Sequence, residues 1–155
     1  MTDTVDLESF VVEGRFGTIG LDATPEQVVE AFGAADHLEP YRRSTPMTLL
    51  YGDDLEFRFH RRHLTAVSLG LPDHGPPGTG PIDTTGLWPP DRRAMATVRS
   101  RLAAAGVSWR LDPIMTKLYD GDDSQAWVTE NGVHLSFFEG LLGRIVLSDL
   151  VTTPG

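Results

Sequence analysis

The sequence predicts an α+β protein made of two tandem units, each a helix followed by a three-stranded antiparallel meander. The two meanders are expected to form one continuous sheet with helices on one face. Three observations carry this. First, residues 49–69, "LLYGDDLEFRFHRRHLTAVSL", lie over residues 127–147, "WVTENGVHLSFFEGLLGRIVL", with a constant shift of 78 and no gap. Second, Leu55, Phe57 and Phe59 in one copy and Val133, Leu135 and Phe137 in the other alternate with polar residues, the period-2 pattern of a half-buried strand. Third, a turn divides each copy at the same place. Asp53-Asp54 falls on Asn131-Gly132, and Asn-Gly is a strong hairpin signal because both residues accept positive φ.

The elements follow in order within a single domain, 1–155. The first unit spans 10–71. Thr24-Pro25-Glu26-Gln27 starts its helix: Thr24 can cap, Pro25 suits the first turn, and Gln27 can reach back to complete a capping box. Val28, Ala31 and Phe32 supply an apolar stripe, and Gly33 stops the helix. Strands are expected at 47–52, 55–60 and 64–70. A Gly/Pro-rich connector, 72–90, contains His74-Gly75, Pro76-Pro77 and Gly80-Pro81, which neither a helix nor a central strand tolerates. The second unit spans 91–149. Asp91 can cap a helix in which Met95, Val98, Leu102 and Ala105 recur at helical spacing, Arg93 points away and Gly106 ends the run. Strands are expected at 125–130, 133–138 and 142–148.

Composition removes several classes of function. The 155 residues include no cysteine, so disulfides, thiolate metal sites and thiol nucleophiles are excluded. The start, "MTDTVDLESF", has neither a basic nor an apolar leader region, and no apolar run approaches a membrane span, which predicts a cytoplasmic protein. The net charge of −9 opposes binding to nucleic acid or to anionic lipid and favours a basic protein partner.

The stretch "TIGLDATPEQVVEAFG" is similar to a short motif, Ile-x-x-Gly-Met-Thr-x-x-Gln-Val-x-x-x-x-Gly. That motif opens the helix of each repeat in the secreted beta-lactamase inhibitor protein family and in outer-membrane assembly lipoproteins of the SmpA/OmlA type. Ile19, Thr24, Gln27, Val28 and Gly33 match; Asp22 and Ala23 replace Gly-Met, and the second half lacks the motif. The resemblance covers about 16 residues and implies tandem helix-plus-meander units whose sheet surface grips another protein. The chain as a whole also resembles small actinobacterial immunity proteins, which neutralise a cognate toxin. The absence of cysteine and the expectation of no signal peptide argue against its being either the secreted inhibitor or the lipoprotein.

If the turns at 53–54 and 131–132 are two-residue hairpins, opposed residues share a face. Leu50, Leu55, Phe57, Phe59, Ala126, Val128, Val133, Leu135 and Phe137 then face the helices. Leu49, Tyr51, Glu56, Arg58, His60, Gln125, Trp127, Thr129, His134, Ser136 and Phe138 face outward. Aromatics mixed with Arg, His and Glu suit a protein-binding surface. Tyr51, Trp127 and Phe138 are the expected partner anchors, with Glu56, Arg58 and His134 setting specificity. The competing expectation is that 71–90, with Leu87 and Trp88, folds over this face and buries it.

Catalytic and metal patterns fail on inspection. His60 and His63 straddle a hairpin tip but lack a third ligand, and Arg61-Arg62 would oppose a cation. Asp120-Gly121-Asp122-Asp123-Ser124 resembles a calcium loop, but Gln125 stands where Gly is needed and Asn131 where Glu is needed. No serine sits in a nucleophile elbow, and the paired carboxylates fall in turns. The sequence therefore predicts a non-enzymatic binding protein without metal or cofactor, an immunity or inhibitor protein that occludes a toxin or enzyme. A small-molecule or lipid carrier and a small hydrolase are the rival readings.

Overall fold

The computed structural model describes residues 4–40, 47–72, 77–80, 82–86, 93–119 and 124–148. Its elements are β1 (Thr4–Asp6), α1 (Leu7–Glu13), α2 (Pro25–Phe32), β2 (His37–Glu39), β3 (Met47–Tyr51), β4 (Leu55–His60) and β5 (His63–Gly70). They continue with β6 (Asp83–Gly86), α3 (Met95–Ala104), β7 (Trp109–Leu111), α4 (Pro113–Leu118), β8 (Gln125–Thr129), β9 (Val133–Phe138) and β10 (Leu141–Ser148). The α+β class is as the sequence predicts. Eight strands form one open antiparallel sheet in the order β2-β3-β4-β5-β10-β9-β8-β7, and β1 pairs with β6 in a separate parallel ribbon. No helix among the described residues is long and apolar enough to cross a membrane.

The order places β5 and β10 at the centre, where Val67 lies opposite Leu147 and Leu69 opposite Ile145, all four buried. Ser68 pairs with Val146 between them, and these two residues are themselves 78 apart. The same shift relates the ladders on either side. Phe57 opposes Leu49 and Val67, while Leu135 opposes Trp127 and Ile145.

Turn lengths set that register. Tyr51 opposes Leu55 and Val128 opposes His134, so the first hairpin of each meander has a three-residue connection, not the two-residue turn expected from the sequence. The second hairpin does turn on two residues, Arg61-Arg62 and Glu139-Gly140, all with positive φ. A one-residue bulge, at Thr65 and at Gly143, then returns the following residues to the inner face. At Gly143 a Cβ would press on the Phe138 ring, 2.6 Å from Cδ2.

The inner face carries the core. Phe16 packs edge-on against Phe10, Phe32 and Phe57, with centroids 5.1–5.6 Å apart. Phe10 and Val11 come from α1, Val28 and Phe32 from α2, and Val98 and Leu102 from α3. The start of α2 is built as the sequence predicts: Thr24 Oγ1 accepts from the Gln27 amide at 3.2 Å, and Gln27 Oε1 accepts from the Thr24 amide at 2.9 Å. Such a reciprocal cap satisfies two amides that a helix start leaves open.

Three expectations need correction. Helices do not all lie on one face, because α4 bonds to β8, where Thr116 Oγ1 accepts from the Ala126 amide at 2.9 Å, and Tyr119 at its end reaches Ser136 on the outer face. α3 begins after Ala94 with no side-chain cap, and Asp91 lies outside the described residues. Arg93 does not point away: it is buried, and its guanidinium donates to the Pro72 carbonyl. A guanidinium needs acceptors wherever it goes under cover, and the connector carbonyl supplies one. The connector itself does more than link, since Asp54 Oδ2 accepts from the Gly78 amide at 2.5 Å and the Asp54 amide donates to Gly78 O at 2.9 Å. Leu87 and Trp88 lie outside the described residues.

Gly52 carries this junction. Its φ is +62°, and a Cβ there would collide with the Gly78 carbonyl. Gly52→Ala should cost at least about 2 kcal/mol through backbone strain and loss of this contact. Urea unfolding of the variant beside the parent protein measures it.

Candidate functional site

A one-residue change in turn length reverses one strand of each hairpin, because side chains alternate with period 2. The six expected contact residues therefore separate. Glu56, Arg58, His134 and Phe138 are on the outer face; Tyr51 and Trp127 are not. Leu49 and Thr129 likewise turn inward, while Leu50, Ala126 and Val128 turn outward.

Tyr51 is fully buried among Phe32 and Phe57, and its hydroxyl donates to the Gly33 carbonyl at 2.7 Å. That bond serves the end of α2, where helix carbonyls lack partners. Burial, and then the charge of Asp36, push the phenol up to about 12. Trp127 stacks on Trp109 with centroids 4.5 Å apart, and Trp109 meets Phe137 edge-on at 6.0 Å. The Trp127 indole N–H donates to Gln125 Oε1 at 3.0 Å. Both rings are structural, one at the centre and one at the rim of the core.

The outer face is polar and small at its middle. Ala66 and Ser68 on β5 lie beside Arg58 and Glu56 on β4, which form an exposed ion pair at 3.1 Å. On the other side Arg144 of β10 opposes Ser136, and Val146 opposes His134. An exposed pair of this kind contributes about 0–1 kcal/mol and leaves both groups open to exchange for a partner's charges.

The far side of this face is covered by α4. Asp112 starts it, its Oδ1 accepting from the amides of Ile114 and Met115 at 3.1 Å each, and Pro113 occupies the first turn. Tyr119 ends it, with its hydroxyl 2.6 Å from Ser136 Oγ and its ring 5.0 Å from Phe138. Burial lowers the His134 pKa, opposed by Asp112 and assisted by Arg110. Asp112, His134 and Ser136 do not make a catalytic relay. Asp112 is engaged by the helix amides, Ser136 by Tyr119, and no hydrogen bond links His134 to either among the described residues.

What α4 leaves outward is the feature that the sequence reading missed. None of its side chains is buried. Ile114 is 67% exposed and Leu118 71%, on the same side of the helix by their spacing of four, with Met115 beside them. The stripe continues through Tyr119 to Phe138, 42% exposed, and to Leu141, which opposes Phe138 across the hairpin and is 45% exposed. The signal was present: Asp112-Pro113 is a cap followed by proline at the first turn, and Ile114, Met115 and Leu118 follow at helical spacing. Large apolar side chains gathered on a surface mark interaction sites more often than ones scattered singly.

The predicted histidine pair gains no third ligand among the described residues. His60 opposes His63 beside Arg61-Arg62, and Arg62 pairs with Glu26. Among the described residues no group of three His, Asp or Glu side chains could hold a metal ion. The acidic run at 120–123 lies outside the described residues. On the helix side an open hollow of about 540 Å³ is lined by Arg15, Ile19, Asp22, Gln27 and Glu30. It is not the closed apolar cavity of a carrier. Comparison of the chain with protein-family models, with curated proteins and with solved structures finds no match in any of the three.

Two outcomes follow from these placements. Trp127→Ala should destabilise the protein by about 2 kcal/mol, since it removes one half of a ring stack that closes the core, and urea unfolding reads this directly. Tyr51 has its folded pKa above the ordinary 10, so its contribution is complete below that pH and is lost as pH rises towards about 12. Unfolding followed across that window should show the loss in the parent protein and not in Tyr51→Phe.

Proposed function

We propose that the chain is a non-enzymatic protein-binding module of the inhibitor or immunity type, which acts in the cytoplasm by covering a functional surface of a cognate toxin or enzyme. The observation that carries this reading is the apolar stripe of Ile114, Met115, Leu118, Phe138 and Leu141 beside an open polar sheet face. An apolar centre with a charged rim is the usual anatomy of a protein interface. Phe138 is its aromatic anchor, His134 lies on the same face of β9, and the Glu56–Arg58 pair offers charges on the open side. The net charge of −9 favours a basic target, because complementary charge speeds encounter. The resemblance of residues 18–33 to the repeats of inhibitor proteins points the same way.

Capture tests the proposal. The immobilised chain should retain one protein in stoichiometric amount from a lysate of the source organism. The double variant Ile114→Glu, Leu118→Glu should retain it at least about tenfold less, while its melting temperature stays close to that of the parent, as expected for exposed positions. Equal retention by both proteins, or none by the parent, overturns the reading.

A further inference from the structure

The hollow on the helix side, between the loop 15–23 and α2, has a volume of about 540 Å³, a size that holds small ligands. Main-chain bonds fix its walls. Phe16 and Ile19 exchange two, at 2.8 and 3.0 Å, and the Ala23 amide donates to Gly20 O at 3.3 Å to close a turn. The Asp22 amide donates to Leu64 O at 3.0 Å and the Leu64 amide to Ala23 O at 2.8 Å, which ties the turn to β5. Ile19, Leu21 and Ala31 give the hollow its apolar lining. Three exposed charges line it too: Arg15 and Asp22 on the loop, and Glu30 on α2. The Arg15 guanidinium donates to the Thr18 carbonyl at 3.2 Å and makes no ion pair with either carboxylate. Among the described residues the side chains of Asp22 and Glu30 have no ion pair or hydrogen bond. Opposite charges thus share one concave surface without pairing.

We propose that this hollow binds a free α-amino acid with an aliphatic side chain. Its carboxylate meets Arg15, its ammonium meets Asp22 and Glu30, and its side chain lies on Ile19, Leu21 and Ala31. The two signs are close enough for one small molecule to bridge. Arg15 lies against Gly20, where a Cβ would stand 3.9 Å from its Nε. Asp22 is two residues further along the same turn, a span of at most about 7 Å. Charge then selects by repulsion as well as attraction. A lone cation drawn to Asp22 and Glu30 meets Arg15, and a lone anion drawn to Arg15 meets two carboxylates. A ligand that carries both charges avoids both penalties. The apolar lining favours a side chain without charge. This site lies on the helix side of the sheet, whereas Phe138 and the Glu56–Arg58 pair lie on the outer face. The proposal therefore goes beyond the protein-binding reading and does not depend on it.

The probe is L-leucine, followed in the full chain by nuclear magnetic resonance of the Gly20, Leu21 and Asp22 amides. Leucine should shift these resonances saturably, with a Kd on the order of 1 mM for a small ligand in an open site. Three counterparts each lack one feature: leucinamide the carboxylate, N-acetyl-leucine the ammonium, and glycine the side chain. Each should bind at least about fivefold more weakly. Arg15→Gln should abolish the discrimination against leucinamide. The double variant Asp22→Asn, Glu30→Gln should abolish that against N-acetyl-leucine. All three positions are exposed, so melting temperatures should stay near that of the parent. If a variant does not fold, the four ligands on the parent protein decide. Absence of saturation, equal binding of leucine and any counterpart, or folded variants that keep the parent's preferences overturns the proposal. Capture from a lysate is untouched by these outcomes, so the two readings fail separately.

Discussion

Everything in this molecule depends on the antiparallel pairing of β5 with β10. A three-stranded meander has one apolar face and two open edges, and alone it is a marginal structure in water. Joining the two ribbons at Val67, Leu69, Ile145 and Leu147 removes one edge from each and places four buried aliphatic side chains in a row. The continuous inner surface is then wide enough for α1, α2 and α3 to share. Full burial of each aliphatic or aromatic side chain there is worth about 1.5–3 kcal/mol, so the cluster around Phe16 and Phe57 holds the helices as firmly as the strands.

That pairing also explains the turns. Val67 and Leu69 face inward only if the chain, after a tight two-residue hairpin, gains one residue before it reaches them. The bulge at Thr65 provides that residue, and Gly143 does the same on the other side. Arg61, Arg62 and Glu139 accept positive φ, a conformation costly for residues with side chains, because the ladders on both sides fix the geometry. Local strain is held by distant burial.

With the aromatic rings drawn inward, the outer face becomes a surface of two kinds. Its middle, around Ala66, Ser68, Arg58 and Arg144, is small and polar, while its border with α4 is apolar and exposed. This helix is tied to the sheet at its two ends, where the Asp112 amide donates to Ala126 O and the Tyr119 hydroxyl meets Ser136 Oγ. A short helix held at its ends can present side chains that contribute nothing to the core, and such a surface makes sense when another protein completes it.

The sequence by itself determined the strands of both meanders, the start and stop of α2, and the α+β class, because alternation, capping and glycine stops are local and their signals lie within a few residues. Four of the six expected contact residues, Glu56, Arg58, His134 and Phe138, lie on the face assigned to them. Tyr51 and Trp127 do not, since a face assignment depends on turn length, and Gly52-Asp53-Asp54 and Glu130-Asn131-Gly132 each turn on three residues where the sequence suggests two. Only the tertiary structure decided the register, the sheet order, the burial of Arg93 and the edge position of β7. Each of these is set by which distant surfaces fit together, and a period of two makes a single residue of slip exchange inside for outside.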